Sequence, residues 1–95
     1  MKNSKVIVRT RNAGVYFGTL VEHSDKTVTL NDVRKLWYWD GAAAVEQLAL
    51  EGTKKPEKCK FTVTVSNMVV ANWEQIIPCT QESINSMEAV KEWKL

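Results

Sequence analysis

The stretch Arg34-Lys35-Leu36-Trp37-Tyr38-Trp39-Asp40-Gly41 concentrates the binding chemistry of the chain: two cations, three consecutive aromatic rings, a carboxylate and a glycine. Indole and phenol faces can stack on a planar group, and Arg34 and Lys35 supply positive charge for an anion. Asp40 reads as the N-cap of a helix that begins in the alanine run, and Gly41 lets another group come close to that helix start. The free amides of a helix start are themselves suited to an anion. With Arg9, Arg11, Lys54 and Lys55 as further cations, the candidate ligand-binding set is Arg34, Lys35, Trp37, Tyr38, Trp39, Asp40, Gly41, Arg9, Arg11 and Lys54. Such a set fits a planar, anionic ligand of nucleotide type. The same residues also fit an apolar corner, because strand alternation sends Leu36 and Tyr38 to one face and Trp37 and Trp39 to the other.

Catalytic groupings are absent from this pattern, and no enzyme activity is expected. His23 stands alone in a Ser/Asp turn without a matching Ser or Cys nucleophile motif, which suits a solvated loop residue. The carboxylates are dispersed, and Gly14, Gly18, Gly41 and Gly52 form no phosphate-cradling loop. Cys59 and Cys79 lack the paired spacing of a zinc site, so no metal and no cofactor is expected.

Composition narrows the classes further. At 95 residues the chain suits one domain spanning 1–95, with a core small enough for oligomerisation to add burial. A net charge of +2 from 13 basic and 11 acidic side chains is too weak for a dedicated DNA or RNA binder. No apolar run approaches the roughly 20 residues of a bilayer span, and Met1 to Lys5 lacks a signal-peptide core, so a cytoplasmic protein with both cysteines as thiols is expected.

The elements that must position these groups are mostly strands. Lys5–Thr10 and Val15–Glu22 flank the turn Asn12-Ala13-Gly14 as a hairpin, with Gly18 marking a bulge or a close backbone approach. Thr27–Leu30 is a third strand with Val28 and Leu30 inward, and Arg34–Trp39 extends it or forms a short strand of its own. From Asp40 the period becomes helical: Ala42, Val45 and Ala49 share a face with Leu48 beside them, and Gly52 stops the helix. Thr53–Lys58 is a charged loop containing Pro56. Lys60–Val65 alternates as a strand with Phe61, Val63 and Val65 inward, Ser66-Asn67 turns, and Trp73–Ile77 closes the sheet before Pro78. Thr80 caps a last helix striped by Ile84, Met87 and Val90. The fold class that follows is α+β, mainly β: a small bent antiparallel sheet or open barrel of about five strands, with one inserted helix and a short C-terminal helix.

Leu36-Trp37-Tyr38-Trp39-Asp40-Gly41-Ala42-Ala43, continuing through Leu48 to Gly52, together with Cys59-Lys60-Phe61 and Glu74 to Thr80, resembles a family of uncharacterised proteins of about this length encoded by phages and prophages. The resemblance runs from the first strand to Glu92-Trp93-Lys94 and names no chemistry. By analogy with other small phage proteins, it implies an anti-defence role in the host bacterial cytoplasm: sequestration, without cleavage, of a nucleotide-derived immune signal of the cyclic oligonucleotide or cyclic ADP-ribose type. The alternative is a protein-interaction module that inhibits a host protein or serves phage assembly, with Trp73 and Trp93 as contact residues. Nucleotide degradation is a third, weaker reading. The alanines 42–44 and 49 suggest close packing of a second copy, hence a symmetric homo-oligomer with the ligand pocket near the interface.

Overall fold

Three consecutive apolar residues, Val6, Ile7 and Val8, are fully buried in β1 (Lys5–Thr10), so this strand is covered on both faces. The computed structural model describes residues 1–95 and explains why. β1 pairs antiparallel with β2 (Val15–His23) on one side and β6 (Trp73–Pro78) on the other. β2 pairs with the long β3 (Thr27–Tyr38), whose far edge carries β5 (Val65–Ala71) along Thr27–Val33 and β4 (Lys60–Phe61) along Leu36–Tyr38. The architecture is therefore α+β and mainly β, an open six-stranded antiparallel sheet ordered β4-β3-β2-β1-β6 with β5 beside β3.

Alternation along these strands builds two cores. One face gathers Val6, Val8, Leu20, Val28, Leu30, Val33 and Val70, from β1, β2, β3 and β5. The other gathers Ile7, Phe17, Leu36 and Phe61 beneath two helices, α1 (Val45–Glu51) and α2 (Gln81–Glu88), which contribute Leu48 and Met87. Gly18 marks a bulge and a close backbone approach, as expected. A Cβ there would lie 3.0 Å from the Asn31 carbonyl oxygen, and the β2–β3 register shifts beside it. Thr80 caps α2, its hydroxyl accepting from the Ser83 N–H at 3.1 Å. Both cysteines are free, and burial pushes the Cys79 thiol up to about 11.

Three expectations fail locally. The strand expected over Lys60–Val65 breaks after Phe61, because Thr62 is fastened to β3: its N–H donates to the Lys35 carbonyl at 3.0 Å and its hydroxyl accepts from the Lys35 N–H at 2.8 Å. The chain steps sideways through residues 62–64, which leaves Val63 and Val65 exposed rather than inward. Ser66 and Asn67 lie inside β5 instead of turning, and the sharp change of direction comes at Asn72, in the left-handed region with φ 58°. The inserted helix starts at Val45, not next to Asp40, and Ala42–Ala44 precede it in non-helical backbone. With Ala49 buried in the core, no alanine face of α1 is left open for a second copy.

Candidate functional site

At the C-terminal end of β3 the aromatic residues separate. Trp37 and Tyr38 are about half exposed, whereas Trp39 is partly buried against the helix-covered core. Trp37 stacks on Trp93 with ring centroids 4.7 Å apart and planes 27° from parallel. The Lys60 ammonium lies 5.4 Å from the Trp37 ring and 5.6 Å from the Trp93 ring, close enough for cation–π attraction to both. Lys60 reaches this position because it pairs with Tyr38 in the β3–β4 ladder. Trp93 reaches it because the tail is pinned beside β4, where the Trp93 N–H donates to the Phe61 carbonyl at 2.8 Å. Glu92 holds the tail from the other side by accepting from the Thr64 N–H at 3.0 Å and the Thr64 hydroxyl at 3.1 Å. Those bonds, the backbone one first, keep the exposed Glu92 carboxyl below its ordinary range.

Arg34 does not join this group. Its guanidinium is buried and turns inward, where Nε donates to the Thr62 carbonyl at 3.0 Å and the two terminal nitrogens to Met87 and Phe61 carbonyls at 3.2 Å each. Burial pulls its pKa below the ordinary arginine value, against the opposing pull of the Glu92 carboxylate. The expected phosphate partner is thus occupied as a clamp joining the step at residues 61–62 to the end of α2. Lys35 is half-buried, and its aliphatic stem lies across Gly14. Arg9 and Arg11 are exposed on the first strand and its turn, Arg9 aligned with Val15 and Gln75 and Arg11 paired to Glu74 at 3.7 Å.

Asp40 and Gly41 serve the chain's own loop. The Asp40 side chain accepts from the Gly41 N–H at 2.7 Å rather than capping α1, and its carbonyl receives the Thr53 hydroxyl. The Cys59 thiol sits among the Asp40 carbonyl, the Thr53 hydroxyl and the Lys55 carbonyl at 3.5–3.6 Å. Gly41 has φ 84°, and a Cβ there would fall 2.5 Å from the Lys55 nitrogen. The close approach read from this glycine is real, but the approaching group is backbone of the same chain. The seven-residue α1 instead has Ala44 as N-cap without a side-chain bond, while Gln47 reaches back to the Ala43 N–H at 2.7 Å. Lys54 is exposed on the same loop, its N–H bonded to the Gly41 carbonyl at 3.1 Å.

Of the ten expected residues, Trp37 and Tyr38 stand at the exposed corner, and Lys60, Trp93 and Glu92 complete it. Lys60 was hidden in sequence by its membership of an ordinary alternating strand, and the tail by its distance along the chain from Trp37. Trp73, the other expected contact residue, is half-buried: its indole N–H donates to the Ser24 carbonyl at 2.8 Å and its ring meets His23 edge-on at 5.6 Å. Beside Trp93 an open cleft of about 480 Å³ is lined by Pro56, Cys59, Ala89, Lys91 and Glu92 among others. No group of three or more His, Cys, Asp or Glu side chains is placed to hold a metal ion, and no helix is long and apolar enough to cross a membrane.

No curated protein and no solved structure matches the chain. A family model does, from residue 3 to residue 87, so that it takes in every strand and nearly all of α2, and stops short of the Trp93 tail. The chain belongs to the family described as a domain of unknown function, DUF6948.

Proposed function

We propose that the chain is a phage-encoded anti-defence protein that binds a nucleotide-derived signal, of the cyclic oligonucleotide or cyclic ADP-ribose type, and withholds it without cleaving it. The observation that carries this reading is the exposed Trp37–Trp93 stack with the Lys60 ammonium beside both rings. A purine laid on an outer face of that stack gains base–aromatic stacking of about 1–3 kcal/mol, and Lys60, with Lys91 in the adjoining cleft, offers charge to a phosphate. The cation of the site is thereby Lys60 in place of Arg34. A homo-oligomer belongs to the same reading, since a second copy would enclose a ligand that one open corner leaves half in water.

Incubation with a panel of cyclic oligonucleotides and cyclic ADP-ribose isomers, followed by heat denaturation and mass analysis of what is released, tests the proposal. Unchanged ligand is the expected result, and Trp37→Ala should weaken its binding roughly tenfold to a hundredfold. A released product of altered mass would replace sequestration by degradation. Retention of nothing from the panel would favour the second reading, a surface that masks a host protein or serves phage assembly. That reading draws on the exposure of Trp37, Tyr38, Trp93 and Leu95.

A further inference from the structure

β5 leaves one long edge without a partner in its own chain. It pairs only with β3, and none of the backbone hydrogen bonds outside the regular elements uses residues 65–71. The strand is also regular: the pairs from Thr27↔Ala71 to Val33↔Val65 keep one register without a bulge. Edge strands are ordinarily protected by a lysine, a proline, a bulge or a covering element. Val65-Ser66-Asn67-Met68-Val69-Val70-Ala71 has neither charge nor proline, and its exposed side chains include Val65 at 38% and Val69 at 64%.

The pattern on that strand is symmetric about Asn67. Val65 and Val69 stand two residues to either side, both of them exposed. In an antiparallel pair related by a two-fold axis at Asn67, every residue i faces residue 134 − i, which sets Val65 against Val69 and Asn67 against its own copy. Shifting the axis by one residue in either direction puts a valine against Asn67 instead. The strand carries no charge, so a second copy meets no like-charge repulsion there.

We infer that two copies of this chain join by antiparallel pairing of β5 with β5 about Asn67, extending the two sheets into one. This names the surface for the oligomer of the proposed function and rests on that part of it, while being independent of which ligand is bound. The contact is isologous, with the same edge used on both copies, and it closes after two. It leaves Trp37, Lys60 and Trp93 outside the new strand pair, since they belong to β3, β4 and the tail.

Light scattering at micromolar concentration should give twice the 10.8 kDa chain mass. Val69→Lys should give the monomer mass with an unchanged circular dichroism spectrum, because that side chain is already largely in solvent. Asn67→Cys should form a covalent dimer under mild oxidation, whereas Ser66→Cys, one residue off the axis, should not, with the wild-type cysteines as control. A monomeric wild type, a dimeric Val69→Lys protein, or equal crosslinking by both cysteine variants would overturn the inference. Loss of ligand retention with these masses unchanged would instead count against the ligand reading alone.

Discussion

Burial follows apolar character along the first half of β3 and departs from it along the second, where Leu36 is the one apolar residue that still goes in. Along Thr27–Val33 apolar side chains go in and polar ones stay out, with Val28, Leu30 and Val33 fully buried. Along Arg34–Tyr38 the charged Arg34 is buried while Trp37 and Tyr38 are half in water. The reason lies in the partners on the far edge. The first half faces the regular β5, whose ladder satisfies its own backbone, so only apolar area decides which residues are covered. The second half faces the break between β4 and β5, where Arg34 supplies the donor to the Thr62 carbonyl and a second donor to the Phe61 and Met87 carbonyls, which also accept the backbone N–H groups of Trp93 and Val90. A buried carbonyl left without a donor costs more than an exposed aromatic ring does, and the guanidinium fork supplies several donors from one side chain.

Substitutions can break this comparison, and the first compares the two halves directly. Leu30→Ala should cost about 2–5 kcal/mol by urea unfolding, as truncations of buried leucine do. Arg34→Met should cost somewhat less, about 1–3 kcal/mol, since the Thr62 carbonyl is left without a donor while those of Phe61 and Met87 keep the Trp93 and Val90 N–H groups. Arg34→Lys should restore little of it, because an ammonium cannot reproduce the fork. A stable Arg34→Met protein would mean that the break needs no donor. Next in size, Gly41→Ala should destabilise by roughly 1–3 kcal/mol, the cost of a strained left-handed residue pressed against the Lys55 backbone.

A smaller effect sharpens the picture of the exposed corner. In a double-mutant cycle, Trp37→Ala and Trp93→Ala should show a coupling of about 0.5–1.5 kcal/mol, the value of an aromatic pair beyond its buried area. Additive losses would show that the stack is not held in solution. The smallest effect follows from Glu92. Its carboxyl is held below the ordinary range in the folded chain, so its contribution is complete above the unfolded-state pKa and is lost as pH falls through the folded value. Tryptophan fluorescence should therefore report loosening of the tail on the acid side, and Glu92→Gln should remove that step while leaving the neutral spectrum near wild type.

Sequence alone determined the period of most segments, and therefore the mainly β, α+β class, the first hairpin, the bulge at Gly18 and the Thr80 cap. Those features depend on residues within a few positions of one another, whose local preferences agree with the fold. It named Trp37, Tyr38 and Trp39 together as candidate ligand contacts, without separating the exposed Trp37 and Tyr38 from Trp39, which packs on the core. Only the tertiary structure decided which cation stays beside them, because Arg34, Lys35 and Lys60 look alike until the carbonyls that claim Arg34 are in place. Asp40 illustrates the same limit. Followed by a glycine and an alanine run it reads as a helix cap, yet Thr53 and Cys59, thirteen and nineteen residues on, claim its carbonyl and delay the helix to Val45. A hydrogen bond formed across that distance leaves no periodicity in the chain, so it enters the sequence only as a threonine and a cysteine of no evident pattern.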